Sequence, residues 1–92
     1  MKEPEINLEK IKEARERIKG AINKTPCIYS LPLSRITKKE VFLKLENLQV
    51  TQAFKARGNA NKIALLSEKE KNRGVITASS GNHGQGLSLA AL

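Results

Sequence analysis

Apolar positions along the chain change their spacing several times, and each change marks an element. From Leu8 the apolar residues fall at Ile11, Ala14, Ile18 and Ile22. Steps of three and four draw one stripe on a helical surface. Asn7 stands ahead of the stripe as a suitable N-cap. Glu13 lies four residues before Arg17, a favourable helix pair. Gly20 weakens the end of this helix and Thr25-Pro26 stops it. Residues 27–39 show no period and read as an irregular connection. Residues 41–46 alternate, with Val41, Leu43 and Leu45 on one face of a short strand. A loop follows over residues 47–53. From Phe54 to Leu66 the pattern is helical again, with Ala56, Ala60, Ile63 and Ala64 on one side. Ser67-Glu68-Lys69-Glu70 matches a capping box and predicts a further short helical turn. Asn72-Arg73-Gly74 breaks it. Residues 75–79, VITAS, read as a second strand between Gly74 and Gly81. His83 to Leu92 then opens a strongly apolar helix.

Strands alternating with helices imply βαβ units. The expected class is α/β, a partial parallel sheet with flanking helices. An N-terminal helix and connection would occupy residues 1–40 and a βαβα segment residues 41–92. No internal repeat and no low-complexity stretch interrupts this order. A chain of 92 residues buries too little surface for a robust core. It also lacks the usual reinforcements of small domains, large aromatic anchors, disulfides or a metal. Its aromatics are Tyr29, Phe42 and Phe54 alone. The apolar helix at the end of the sequence has no C-terminal cap. The expectation is therefore an N-terminal fragment of a larger domain.

Composition narrows the function classes. The net charge of +8 could serve a polyanion, but the basic residues are scattered and no aromatics interleave with them. Nucleic acid is not an expected partner. One Cys, one His and no Asp leave no basis for a metal site. Cys27 cannot form an internal disulfide, suits a reducing compartment and reads as a small, partly buried apolar residue. No apolar run reaches the length of a membrane span, and MKEPEINLEK is no signal peptide. A cytoplasmic protein with no membrane partner is expected.

Two segments carry chemistry. In Thr51-Gln52-Ala53-Phe54-Lys55-Ala56-Arg57-Gly58, Lys55 opens a helix that follows a strand and a loop. The partial positive charge of a helix N-terminus disfavours a second positive charge. A lysine so placed favours the neutral amine that attacks an aldehyde. Ser79-Ser80-Gly81-Asn82-His83-Gly84-Gln85-Gly86 joins a strand end to a helix start. Hydroxyls, glycine and exposed backbone N–H groups there suit an anion, phosphate or carboxylate. They equally suit a tight turn that needs glycine. The glycine order is not the GxGxxG of a dinucleotide site.

F-K-x-R-G followed by a strand running into S-S-G-N-H-G-Q-G resembles the fold-type II pyridoxal-phosphate (PLP) enzymes. Within them the chain is most similar to the threonine/serine dehydratase and serine racemase group. The opening helix and the K-L-E-N-L-Q segment resemble the start of those enzymes, so the likeness covers nearly the whole chain.

The resemblance implies the N-terminal part of the tryptophan-synthase-β-like PLP fold. It implies deamination by dehydration of L-threonine, and of L-serine, to a 2-oxo acid and ammonia, in a longer homo-oligomeric parent. Serine racemisation or another fold-type II activity, such as threonine synthase, is the alternative it leaves. Lys55 would bond PLP covalently and take the substrate's α-proton. Phe54 would pack against the ring, and Asn82 would hydrogen-bond its 3-hydroxyl oxygen. Ser79, Ser80, Gly81, Asn82 and His83 would cradle the substrate carboxylate. Ser80 would face the lysine across the ring and could supply a proton from the opposite side. His83 reads as a packed, hydrogen-bonding first-turn residue. Arg57 and Gly58 read as supports of the helix. In place of the family's Gly-Ser pair ahead of Phe-Lys the chain has Gln52-Ala53, which implies a differently shaped loop. The family's phosphate-gripping glycine loop and the group that meets the ring nitrogen lie further along than residue 92.

Overall fold

The computed structural model describes residues 5–92. The leader reading of the first ten residues falls partly on residues 1–4, outside the described residues. Helix α1 runs Leu8–Ile18, with the Asn7 side chain accepting from the Lys10 amide at 2.9 Å. The sequence therefore placed both the helix and its cap. Only the C-terminal end of its apolar stripe is covered: Ile18 is buried, whereas Leu8 and Ile11 are exposed.

Residues 27–39, expected to be irregular, contain two elements. Strand β1 is Cys27–Tyr29 and helix α2 is Leu31–Thr37. Ser30 caps α2, and Lys38 ends it in the left-handed region at φ 56°. A three-residue strand and a two-turn helix are too short to show a period, so sequence spacing missed both. Cys27, expected to be partly buried, is exposed on β1. Strand β2 is Phe42–Lys44, within the expected segment.

Among the described residues the expected parallel pairing is not formed. Strands β1 and β2 pair antiparallel, with Ile28 opposite Leu43 and Tyr29 opposite Phe42. The Tyr29 and Phe42 rings meet edge to face at 5.5 Å. Residues 75–79, expected as the second strand, join no ladder among the described residues. Ile76 is 96% exposed. A parallel strand needs a neighbour reached by a crossover, and the hairpin-like β1–β2 pair does not provide one.

A 3-10 turn, Glu46–Leu48, leads from β2 toward helix α3, Lys55–Leu65. Helix α4, Glu68–Arg73, starts with the expected capping box: Ser67 and Glu70 bond each other's amides reciprocally. Helix α5 is Asn82–Ala90. It packs closely on α3, and α1 also contacts α3. The core here is small, Ile18 and Ala56. The radius of gyration is 16.1 Å, against about 12 Å for a compact domain of this length. The apolar faces of α1, β1, β2 and residues 75–76 stay open as a result. Among the described residues no helix is long and apolar enough to cross a membrane.

Polar groups tie the loop ahead of α3 in place. Gln49 is buried; its side chain accepts from the Asn23 amide at 2.8 Å and donates to the Asn23 carbonyl at 3.0 Å. Arg57 grips Glu46 with two bonds of 2.9 Å, one from Nε and one from an η nitrogen. Thr25 donates to the same carboxylate, and Lys44 donates to the Thr25 carbonyl. The Arg57 hydrogen bonds, with help from Thr25, lower the Glu46 carboxyl from 4.5 to about 2. A carboxyl held that low stabilises the fold above its ordinary value. The contribution is lost as pH falls through about 2. It amounts to on the order of 2 kcal/mol at most for a paired, part-buried carboxylate, solvent screening included. Glu46→Gln should therefore lower stability at neutral pH and flatten its decline between pH 4.5 and about 2. Chemical denaturation at several pH values reads this out.

Candidate active site

Lys55 is the first residue of α3, and Phe54 precedes it with helical backbone at φ −67°. The Lys55 Nζ sits 5.3 Å from the centroid of the Phe54 ring. None of the ion pairs among the described residues engages Lys55. Phe54 is 61% exposed, so it is not an ordinary core aromatic.

The Gln52-Ala53 departure lies in the loop into α3. Gln52 adopts φ 61°, a left-handed conformation that favours glycine. Holding a residue with a side chain there carries a local cost of roughly 1 kcal/mol.

The second segment enters α5 through Gly81. Ser79 Oγ accepts from the Gly81 amide at 3.2 Å and closes a tight turn. Within α5 the Gln85 amide bonds the Gly81 carbonyl at 3.0 Å. The amides of Asn82, His83 and Gly84 come before that bond, at the helix end that attracts anions. Ser80, Gly81 and Asn82 are exposed there, and His83 is half-buried.

What brings the two segments together is a residue the sequence reading did not single out. Asn59 is 5% exposed and lies one turn into α3. Its Nδ2 donates to the Lys55 carbonyl at 2.9 Å and to the His83 carbonyl at 3.3 Å. Gly86 makes the approach possible: a Cβ there would lie 2.6 Å from Asn59 Nδ2 and 3.4 Å from the Lys55 carbonyl. The only sequence signal was the four-residue step from Lys55 to Asn59, with a small residue in the facing helix. Lys55, Phe54 and His83 line one cavity of about 540 Å³, floored by Ile63 and Leu87 and rimmed by Val75. Arg57 and Gly58 also line it, although Arg57 is held by Glu46.

The sequence profile of a family described as pyridoxal-phosphate dependent enzyme matches residues 18–92. The chain belongs to that family. It is 55% identical over 86 residues to an L-threonine ammonia-lyase of Thermotoga maritima, covering 94% of this chain and 21% of that one. It is 52% identical over 87 residues to a catabolic L-threonine dehydratase of Staphylococcus aureus, covering 94% and 25%. The serine racemase structure from Dictyostelium discoideum superposes with a TM-score of 0.85 at 48% identity, covering 94% and 28%. The chain thus spans about a quarter or less of the length of these curated relatives.

The residues present fit the family's cofactor. An unpaired primary amine beside an exposed aromatic ring suits an aldehyde on a flat heteroaromatic. The free amides and hydroxyls at the start of α5 suit a carboxylate next to it. These are the groups that would hold the ring's aldehyde side and the substrate. PLP, when bound, supplies the electron sink that stabilises a carbanion at the substrate's α-carbon.

Proposed function

We propose that these residues are the N-terminal segment of the catalytic domain of a PLP-dependent threonine/serine ammonia-lyase. The observation that carries the reading is the joint placement of Lys55 and His83, in the first turn of α5, on one cavity, with Asn59 bonded to both. Ser79, Ser80, Gly81 and Asn82 lie next to His83 in sequence but do not line that cavity. The 52–55% identity to threonine ammonia-lyase and dehydratase relatives supports the substrate class.

In this reading the Lys55 amine would hold the cofactor and would take the substrate's α-proton. The amides of Asn82, His83 and Gly84, with the hydroxyls of Ser79 and Ser80, bind the substrate carboxylate. This anchoring fixes the α-hydrogen against Lys55 Nζ, and such positioning lowers the barrier by removing motional freedom before reaction. Asn82 hydrogen-bonds the ring's 3-hydroxyl oxygen. Phe54 would pack against the cofactor ring beside the amine. Loss of the β-hydroxyl as water and subsequent hydrolysis convert L-threonine to 2-oxobutanoate and ammonia, and L-serine to pyruvate and ammonia. The proposal places the enzyme in the cytoplasm as a homo-oligomer acting on a small amino acid, with no nucleic-acid or membrane partner.

A second reading, serine racemisation, is favoured by the superposition on a serine racemase and by the exposed Ser80 hydroxyl. The test for both uses an enzyme of the relatives' length that carries this segment. With PLP and L-threonine it should release 2-oxobutanoate. Ser80→Ala should lower that activity about 10-fold, the size expected for one lost hydrogen bond to the carboxylate, and lower any D-serine formation from L-serine by on the order of 100-fold. Absence of 2-oxo acid from both amino acids would contradict the ammonia-lyase proposal. D-Serine formation unaffected by Ser80→Ala would contradict the role given to Ser80.

A further inference from the structure

We infer that Asn59 is a positioning residue that sets the tautomer of His83, keeping the ring proton on Nε2. The inference rests on the proposed site and gives one of its donors a defined chemical state. Asn59 Nδ2 faces three groups: the Lys55 carbonyl at 2.9 Å, the His83 carbonyl at 3.3 Å and His83 Nδ1 at 3.5 Å. Two of these are carbonyl oxygens, which only accept. The amide nitrogen, not the amide oxygen, must therefore point at this corner, because an oxygen there would meet two acceptors with no proton between them. Asn59 is 5% exposed, so water does not relieve the mismatch. One amide proton serves the Lys55 carbonyl. The other is shared by the His83 carbonyl and Nδ1.

A ring proton on Nδ1 would face that amide N–H head on. Nδ1 is thus the accepting nitrogen, and Nε2 carries the hydrogen. No hydrogen bond among the described residues uses Nε2. His83 and Lys55 line the same cavity, and no Asp or Glu is among the residues that line it. Nε2–H is a donor still to be matched, and the substrate carboxylate is the acceptor of the right charge. The close approach of α5 that allows this contact depends on Gly86, whose missing Cβ leaves the space Asn59 Nδ2 occupies.

Nitrogen-15 spectra of histidine side chains in the holoenzyme at pH 8 read the tautomer directly. The His83 signals are assigned by their loss in His83→Asn. In the unaltered enzyme His83 should show a pyrrole-type Nε2 and a pyridine-type Nδ1. Asn59→Asp replaces the donor with an acceptor and should draw the proton to Nδ1. Asn59→Ala removes the partner and should give a mixture of both tautomers. The same variants should raise KM for threonine about 10-fold with a smaller change in kcat, the size expected for one lost hydrogen bond. Cofactor absorbance shows whether each variant is folded and loaded. Should Asn59→Asp fail to load, the unaltered enzyme and Asn59→Ala still decide. Nδ1–H in the unaltered enzyme, or an Asn59→Ala spectrum identical to it, would overturn the inference. The tautomer is measured without turnover, so failure of the ammonia-lyase proposal shows separately, as absence of 2-oxo acid.

Discussion

Replacing Lys55 with alanine is expected to lower threonine turnover by on the order of 1,000-fold or more, as removal of an essential proton-transfer group does. The loss should exceed that at any other position here, because one side chain has two tasks. In the proposed function it would bond the cofactor and take the α-proton. Its placement explains why no neighbour can substitute. Lys55 is the first residue of α3, and its carbonyl is tied through Asn59 to α5. Lys62, the other lysine on this cavity, lies two turns further along the helix. Steady-state assays with and without added amine test this. Partial recovery by a small primary amine would support a proton-transfer role. Activity within 10-fold of the unaltered enzyme would contradict it.

Gly86→Ala is expected to be the most damaging conservative change. The new methyl carbon would lie 2.6 Å from Asn59 Nδ2 and 3.4 Å from the Lys55 backbone. Asn59 cannot swing aside without giving up its bonds to Lys55 and His83. Overpacking of this kind costs about 1–3 kcal/mol, which lowers a thermal midpoint by roughly 2–4 °C per kcal/mol. Activity should fall as well, because the clash pushes α5 and its amides away from Lys55. Pairing Gly86→Ala with Asn59→Ala should relieve much of the stability loss but not the activity loss. Strict additivity of the two stability changes would show that the contact is not what limits the site.

The two segments of the candidate site were legible in the sequence because each is local. F-K-x-R-G at a helix start and S-S-G-N-H-G-Q-G leading into a helix each lie within eight residues, and the two together carry the family resemblance from which their proposed roles come. Capping was equally readable: Asn7 and the Ser67–Glu70 pair sit where short-range hydrogen bonds demand them. What brings the parts together was not readable. Asn59 is 24 residues from His83, and Arg57 is 32 residues from Thr25. Pairings at that distance leave no periodic trace. Strand β1 and helix α2 were missed because three and seven residues are too few to establish a pattern. Residues 75–79 have strand composition, yet composition cannot supply a neighbouring strand. Their apolar side chains stay open here, with Ile76 almost wholly exposed.

Gln52 illustrates a different limit. It stands where the resemblance puts a glycine, and its backbone is left-handed. Residue identity alone did not reveal that conformation at a residue other than glycine. Buried Gln49 and the Glu46–Arg57 pair fix the chain on both sides of it.

The most direct test of the central claim is chemical trapping at Lys55. The enzyme, loaded with PLP, is reduced with borohydride and digested, and the modified peptide is sequenced by mass spectrometry. The account predicts the phosphopyridoxyl mass on Lys55 and its loss in Lys55→Ala. The label on another lysine, or none on an enzyme that turns over threonine, would contradict it.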